Sequence, residues 1–381
     1  MIHDLTMKSL YQTLPCFFDG ARTVYGGPGR YIQGAGALDL CGMLAKGLGL
    51  HAIMVTDPDI LGLYGARVRA SVVASGLDLT VLTVSGVPKP DTAASLLARL
   101  PAVKAPVVLA CGGGSAIDAG KALAHDMGAP IITMPTAASN DAPTSKNFVL
   151  YDDHHRLVDV GHMPKSPAYV LVDTKILASA PRLLFAAGIG DAIAKLSEAA
   201  ACAAADGRNL FHARPPLAAL AIARACEETL LAYGCDAYDA AGTGEVTLSF
   251  EAAVEAVVLM AGLAFENGGL SLTHAMTRGL SAVGDTVLTP HGFQVAYGLV
   301  VQKALEGVPM DAPLSRLFTH VGLPMSFREL SGRDLTEEEI GVIARLTMSA
   351  PMARNFPPGT TETRLCDTLR AVEVAADVLQ A

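Results

Sequence analysis

The chain predicts a multidomain protein, α/β plus all-α: an α/β domain over residues 1–175 and a helical domain over residues 176–381. Two observations carry this. As far as Asp173, short β-rich runs alternate with alanine-rich helical runs, and Gly or Pro separates many of them. After Thr174 the apolar residues fall at helical spacing almost throughout. Strands followed by helices at this interval imply a mostly parallel sheet covered on both faces.

In order, the expected strands are His51–Thr56, Leu79–Ser85, Pro106–Cys111, Pro130–Met134, Asn147–Tyr151 and Tyr169–Val172. Between them the expected helices are Leu61–Ala74, Thr92–Leu100 and Ala116–Met127. The second region predicts helices over Ala192–Ala205, Pro216–Ala232, Thr247–Phe265, Gly292–Glu306, Leu314–Val321, Thr336–Met348 and Thr363–Leu379. Thr336-Glu337-Glu338-Glu339 has the form of a capping box.

Composition narrows the function. Net charge is −9 and aromatic residues are 5%, with no tryptophan, so neither a basic stripe nor a stacking platform for nucleic acid is present. Charged residues are only 17%, which points to surface covered in a homo-oligomer. The seven cysteines are odd in number, widely spaced and without a CxxC, so reduced thiols are expected rather than a disulfide framework. Met1-Ile2-His3-Asp4-Leu5 shows no signal-peptide pattern, and the apolar stretch Ala252–Phe265 is read as too short to span a bilayer. The expectation is a cytoplasmic protein without a membrane partner.

The strand Pro106–Cys111 runs directly into Gly112-Gly113-Gly114-Ser115, and a helix follows with Asp118 and Lys121 in its first turns. Adjacent glycines let backbone approach a bulky anion, and free amides at a helix start bind phosphate oxygens. The sequence is neither GxGxxG nor GxxxxGK[ST], so the logic of a pyrophosphate site is present without its usual fingerprint. Asp57 follows the strand His51–Thr56, where a carboxylate can accept hydrogen bonds from an adenosine ribose. The loop Met134–Ser145 gathers Thr136, Ser139, Asn140, Asp141, Thr144 and Ser145 at a strand's carboxyl end, where such folds place ligands.

Only ten histidines occur, and two sit in glycine-rich settings: Gly268-Gly269-Leu270-Ser271-Leu272-Thr273-His274 and Thr289-Pro290-His291-Gly292. With Asp191 of Gly188-Ile189-Gly190-Asp191 they offer one carboxylate and two imidazoles, a donor set of catalytic zinc sites, with iron as the alternative. Lys195, four residues after Asp191, is expected on the same helix face.

Taken together these segments resemble the iron-containing (group III) alcohol dehydrogenase family, and in particular its glycerol dehydrogenase branch. The resemblance rests on Gly112–Lys121, Pro135–Pro143, Gly188–Ala192 and the two histidine segments, in that order along nearly the whole chain. It implies a dehydroquinate synthase-like fold with the site in the cleft between the two regions. Asp191, His274 and His291 are the implied metal ligands, catalytic together with Asp141. The implied NAD contacts are Asp57, Gly113, Gly114, Thr136, Ser139, Ser145 and Tyr151, and Gly112, Ser115, Asp118 and Asn147 are placed with that set. Asp141 and Lys195 are placed on the substrate side. Many iron-dependent members carry a histidine where this chain has Lys195, so the pattern is similar to the three-ligand zinc type.

The implied reaction is NAD-linked oxidation of a vicinal diol or polyol to a hydroxy-ketone, and its reverse. Lys146 and Lys195 depart from typical glycerol dehydrogenases and leave a hydroxy acid or other anionic hydroxy-carbonyl as the alternative substrate. A cyclase of the dehydroquinate synthase type would need several basic residues for a phosphate, and only Arg278 lies near the histidines. The resemblance also implies a homo-oligomer, from dimer up to octamer.

Overall fold

Alternation along the strands decides the first layer. Ala52, Met54, Val107 and Leu109 face one side and Ile53, Val55, Val108 and Ala110 the other, and all are buried in two separate apolar clusters. A sheet covered on both faces follows. The structure is a computed structural model that describes residues 22–153, 156–286 and 289–380. The N-terminal pentapeptide and Cys16 lie outside the described residues.

The main sheet is parallel and six-stranded. Its strands are β1 (Arg30–Gln33), β2 (His51–Thr56), β3 (Asp78–Thr83), β4 (Pro106–Gly112), β5 (Ile131–Pro135) and β8 (Tyr169–Val172), in the order β1-β8-β5-β4-β2-β3. One expectation is corrected. Asn147–Tyr151 is a strand, β6, but it leaves this sheet and pairs antiparallel with β7 (Leu157–His162). Two strands were not anticipated: β1 is four residues long and begins and ends on polar side chains, and β7 is largely exposed over its first half.

Among the helices, α1 (Cys41–Lys46), α2 (Pro58–Ala74), α3 (Thr92–Ala98) and α4 (Gly114–Met127) cover the sheet. Beyond β8 the described chain is helical: α5 (Thr174–Ser179), α6 (Arg182–Ala192), α7 (Lys195–Ala204), α8 (Leu217–Ala240), α9 (Leu248–Gly268), α10 (Leu272–Leu280), α11 (His291–Glu306), α12 (Ala312–Val321), α13 (Phe327–Ser331), α14 (Glu337–Met348) and α15 (Glu362–Gln380). The capping box at Thr336 is present, with Thr336 and Glu339 bonding reciprocally.

Two further expectations change. The helix read as Ala192–Ala205 breaks at Ile193–Ala194, so Asp191 lies in the last turn of one helix and Lys195 begins the next. The stretch Ala252–Phe265 belongs to α9, whose 21 residues are long and apolar enough to cross a membrane by length and composition. Half of its most apolar window is nevertheless buried inside the fold, and α7 and α8 pack along it, so it serves as a core helix. The six described cysteines are all free thiols.

Candidate metal and nucleotide site

Sheet order brings the nucleotide candidates together. The chain leaves β2 for β3 on one side and returns to β4 on the other, so the β2/β4 boundary is where connections reverse direction. Ligands of open α/β sheets bind at the carboxyl ends of strands at such a point. Asp57 directly follows β2, and the glycine turn begins at the last residue of β4. A Cβ on Gly112 would lie 3.3 Å from an Asp57 carboxylate oxygen. The other oxygen of Asp57 accepts the Ile60 amide at 2.9 Å and caps α2. Gly113 precedes α4 with no side-chain cap, and a Cβ there would meet nothing within 4 Å. The turn therefore leaves open space before uncapped helix amides, which fits a pyrophosphate.

The following loop spans to the second half of the site. A Cβ on Gly114 would stand 3.0 Å from the Asn140 amide nitrogen. The very next residue, Asp141, places Oδ2 2.9 Å from Lys195 Nζ. That oxygen is buried and has no aligned hydrogen bond. The loop is seated by Thr144, whose hydroxyl donates to the Val258 carbonyl within a π-helical stretch of α9, Ala256–Met260. Gly262 permits this approach, since a Cβ there would lie 2.7 Å from Thr144 Cβ.

The three metal candidates converge. Asp191, His274 and His291 offer ligand atoms all within 4.8 Å of one another. Backbone contacts at glycine bring them there. A Cβ on Gly292 would lie 1.7 Å from the Ala187 carbonyl oxygen, and one on Gly190 2.4 Å from the Gly292 oxygen, so α6 and α11 touch backbone to backbone. Gly298 does the same for α11 and α10, 2.6 Å from the Thr273 oxygen. His291 begins α11 on the exposed side of the group, and Asp191 is buried.

His274 is held by a residue that the sequence reading missed. Glu198 Oε2 lies 2.6 Å from His274 Nδ1, while its Oε1 accepts the amides of Ser271 at 2.9 Å and His274 at 3.1 Å. One carboxylate thus caps α10 and fixes the imidazole with Nε2 directed to Asp191, 3.2 Å from Oδ1. A carboxylate behind a ligating histidine is the usual arrangement of such sites. Its sequence signal is Glu198 standing as the one acid of Lys195–Ala204, seven residues after Asp191.

Lys195 completes the cluster. Its Nζ lies 2.8 Å from Asp191 Oδ1 and 3.3 Å from His274 Nε2, above the Phe265 ring at 5.4 Å. Burial pushes Asp191 upward, but the Lys195 ammonium and the two imidazoles outweigh it and hold the carboxyl far below its ordinary range. Burial likewise opposes charge on Lys195, and Asp141, Asp191 and Glu198 more than restore it. His274 is disfavoured as a cation by burial, yet Glu198 and Asp191 raise it to about 9. Asp191 and Glu198 are held as carboxylates while burial raises Asp141, so acids crowd round one ammonium, and the oxygen and imidazole donors fit a divalent cation.

The remaining cofactor candidates divide. Thr136 follows β5 beside the turn, its amide donating to the Gly112 oxygen at 3.1 Å, and Ser139 is half-buried in the same loop. Ser115 is half-buried in the first turn of α4. Asp118, Ser145 and Asn147 instead gather round the fully buried Lys121. Lys121 Nζ donates to the Asn147 carbonyl at 2.7 Å and reaches Ser145 Oγ at 3.4 Å. Asp118 accepts the Val149 amide at 3.3 Å, and burial raises its carboxyl to about 7. Tyr151 lies at the end of β6, half-buried.

Comparisons with known proteins agree with this geometry. The family model described as iron-containing alcohol dehydrogenase matches residues 28–174. A glycerol dehydrogenase of Escherichia coli O6:H1 is 35% identical over 337 residues, covering 88% of this chain and 92% of that protein. A glycolaldehyde reductase of Halobacterium salinarum is 33% identical over 325 residues, covering 84% and 89%. The crystal structure of glycerol dehydrogenase from Schizosaccharomyces pombe matches with a TM-score of 0.89 at 30% identity, covering 94% of this chain and 92% of that one.

Proposed function

Because the chain belongs to the iron-containing alcohol dehydrogenase family, we propose that it is an NAD-linked, metal-assisted dehydrogenase of a vicinal diol or polyol such as glycerol, running also in reverse. The observation that carries this reading is the junction of the two half-sites: Asn140 lies against the glycine turn and Asp141 against the lysine of the metal cluster.

Asp191, His274 and His291 would hold the metal, with zinc favoured over iron because Lys195 stands where a fourth ligand would be needed. A metal held there would supply a Lewis acid that makes a substrate hydroxyl more acidic, and NAD would supply the hydride acceptor. With a metal bound, Glu198 would keep the remaining His274 proton on Nδ1 and leave the Nε2 lone pair to the metal. Asp141 offers a buried oxygen lacking an aligned partner, suited to accept a second substrate hydroxyl. Lys195 pairs with that same oxygen at 2.9 Å and so fixes the carboxylate. Its ammonium is already committed to two carboxylates, which favours a neutral polyol over an anionic hydroxy acid. Gly112–Ser115 would take the pyrophosphate, with Thr136 and Ser139 lining the approach, and Asp57 would bind the ribose and repel a 2′-phosphate. Asp118, Ser145, Asn147 and Tyr151 would act by holding the floor of that site. We also place the join between the regions near residue 175, the protein in the cytoplasm, and the working form as a homo-oligomer.

The test is a screen of diols, polyols, hydroxy acids and their carbonyl forms, with NAD and NADP, after chelation and reloading with zinc or iron. Highest kcat/KM on vicinal diols with NAD is expected. A best substrate among hydroxy acids would replace the reading with its alternative, and absence of any nicotinamide turnover would overturn both.

A further inference from the structure

Three of the contacts above meet on one atom. Lys195 Nζ is 2.8 Å from Asp191 Oδ1, 2.9 Å from Asp141 Oδ2 and 3.3 Å from His274 Nε2. Asp191 Oδ1 and His274 Nε2 are also the donor atoms that face each other across the metal group, 3.2 Å apart. The side chain is 1% exposed, so water does not screen its charge.

We propose that the Lys195 ammonium and the divalent metal draw on the same Asp191 carboxylate in opposition, so that Lys195 lowers the affinity of the metal site and makes its metal exchangeable. The inference rests on the metal reading above. A metal bonded to Asp191 at ~2.1 Å stands within about 5 Å of an ammonium that touches the same oxygen. Two cations so close in a buried group repel strongly. The cluster does not exclude the metal, because the Asp191 and Glu198 carboxylates outnumber the one ammonium of Lys195, and Asp141 adds a third carboxyl beside it. It binds the metal less tightly than the same carboxylates would alone. Asp141 is the alternative partner: as Asp191 turns to the metal, Lys195 keeps its ion pair with Asp141. The substrate-side carboxylate is thereby tied to the loading state of the metal site.

The experiment is a zinc titration of the chelated full-length protein against a competing indicator, with thermal shift as a second readout. Wild type is compared with Lys195→Met, and Asp141→Asn with the double variant Asp141→Asn/Lys195→Met. At least tenfold tighter zinc binding is expected in each lysine-free protein than in its reference, with a larger zinc-induced rise in Tm. The double variant removes one charge of each sign, so it remains informative if Lys195→Met alone fails to fold. Equal or weaker zinc affinity in the folded lysine-free proteins would overturn the proposal. His274→Ala separates the two levels: zinc that still binds with undiminished affinity would sink the three-ligand reading itself, and the proposal with it. Unchanged affinity on losing Lys195, at a site that His274→Ala abolishes, would sink the proposal alone.

Discussion

Glu198 shows at the scale of one residue what sequence can and cannot convey. Its two oxygens serve the α10 amides and His274 Nδ1, and its carboxyl stays below the ordinary range because His274 and Lys195 outweigh the burial that would raise it. Replacement by glutamine should weaken metal binding by ~10–100-fold through the loosened imidazole. Metal titration and Tm of Glu198→Gln check this, and an unchanged metal affinity would contradict it. The three metal candidates, which the fold brings together, were legible because histidines are few and their settings rich in glycine. Glu198 was not, because a single glutamate in a helix looks like a solvent-facing residue until the fold packs α10 against it. Asp57 poses a different problem, since it both caps a helix and carries a charge. Asp57→Ser keeps a capping oxygen, so stability should shift by less than ~1 kcal/mol while the preference for NAD over NADP falls. The ratio of kcat/KM for the two cofactors, alongside Tm, distinguishes the roles.

Between elements, backbone contacts at glycine place the candidate ligands. Gly190 and Gly292 read in sequence as punctuation around the candidate ligands, but their work is to let α6 and α11 meet without side chains between them, while Gly188 lets the Ala138 carbonyl approach α6. Gly292→Ala would put a Cβ 1.7 Å from the Ala187 oxygen. The helices must then part, at a cost of ~1–3 kcal/mol. The displacement of His291 should lower kcat by ~100-fold even where zinc still binds. Thermal melts and zinc-saturated kinetics measure both, and a variant with normal kcat would show that this contact does not set the geometry. Element types were recovered well where apolar periodicity is long, as in α8 and α11. The losses were local. β1 is too short to show alternation, β7 is too exposed, and the break at Ile193–Ala194 sits in sequence as apolar as any helix interior.

For the molecule as a whole, the parallel sheet and the helical region each supply half of the candidate site, and the loop through Asn140 and Asp141 joins them. Beneath that loop lie two acids whose carboxyls burial raises to about 7, Asp118 beside Lys121 and Glu266 against the Lys146 amide. Their folded values exceed the unfolded ones, so the folded state holds more protons between about pH 4.5 and 7. Stability contributed by these protons is present at the acidic end of that window and is lost as pH rises through it. Tm from pH 5 to 8 should therefore fall less steeply in Asp118→Asn and Glu266→Gln than in wild type, and parallel slopes would contradict the assignment. The account as a whole turns on metal and NAD sharing one cleft. Crystals grown with zinc and NAD, measured on both sides of the zinc absorption edge, test it most directly. One anomalous peak per chain is predicted, within bonding distance of Asp191, His274 and His291, with the pyrophosphate on Gly112–Ser115. A metal bound elsewhere, or NAD bound away from the glycine turn, would contradict it.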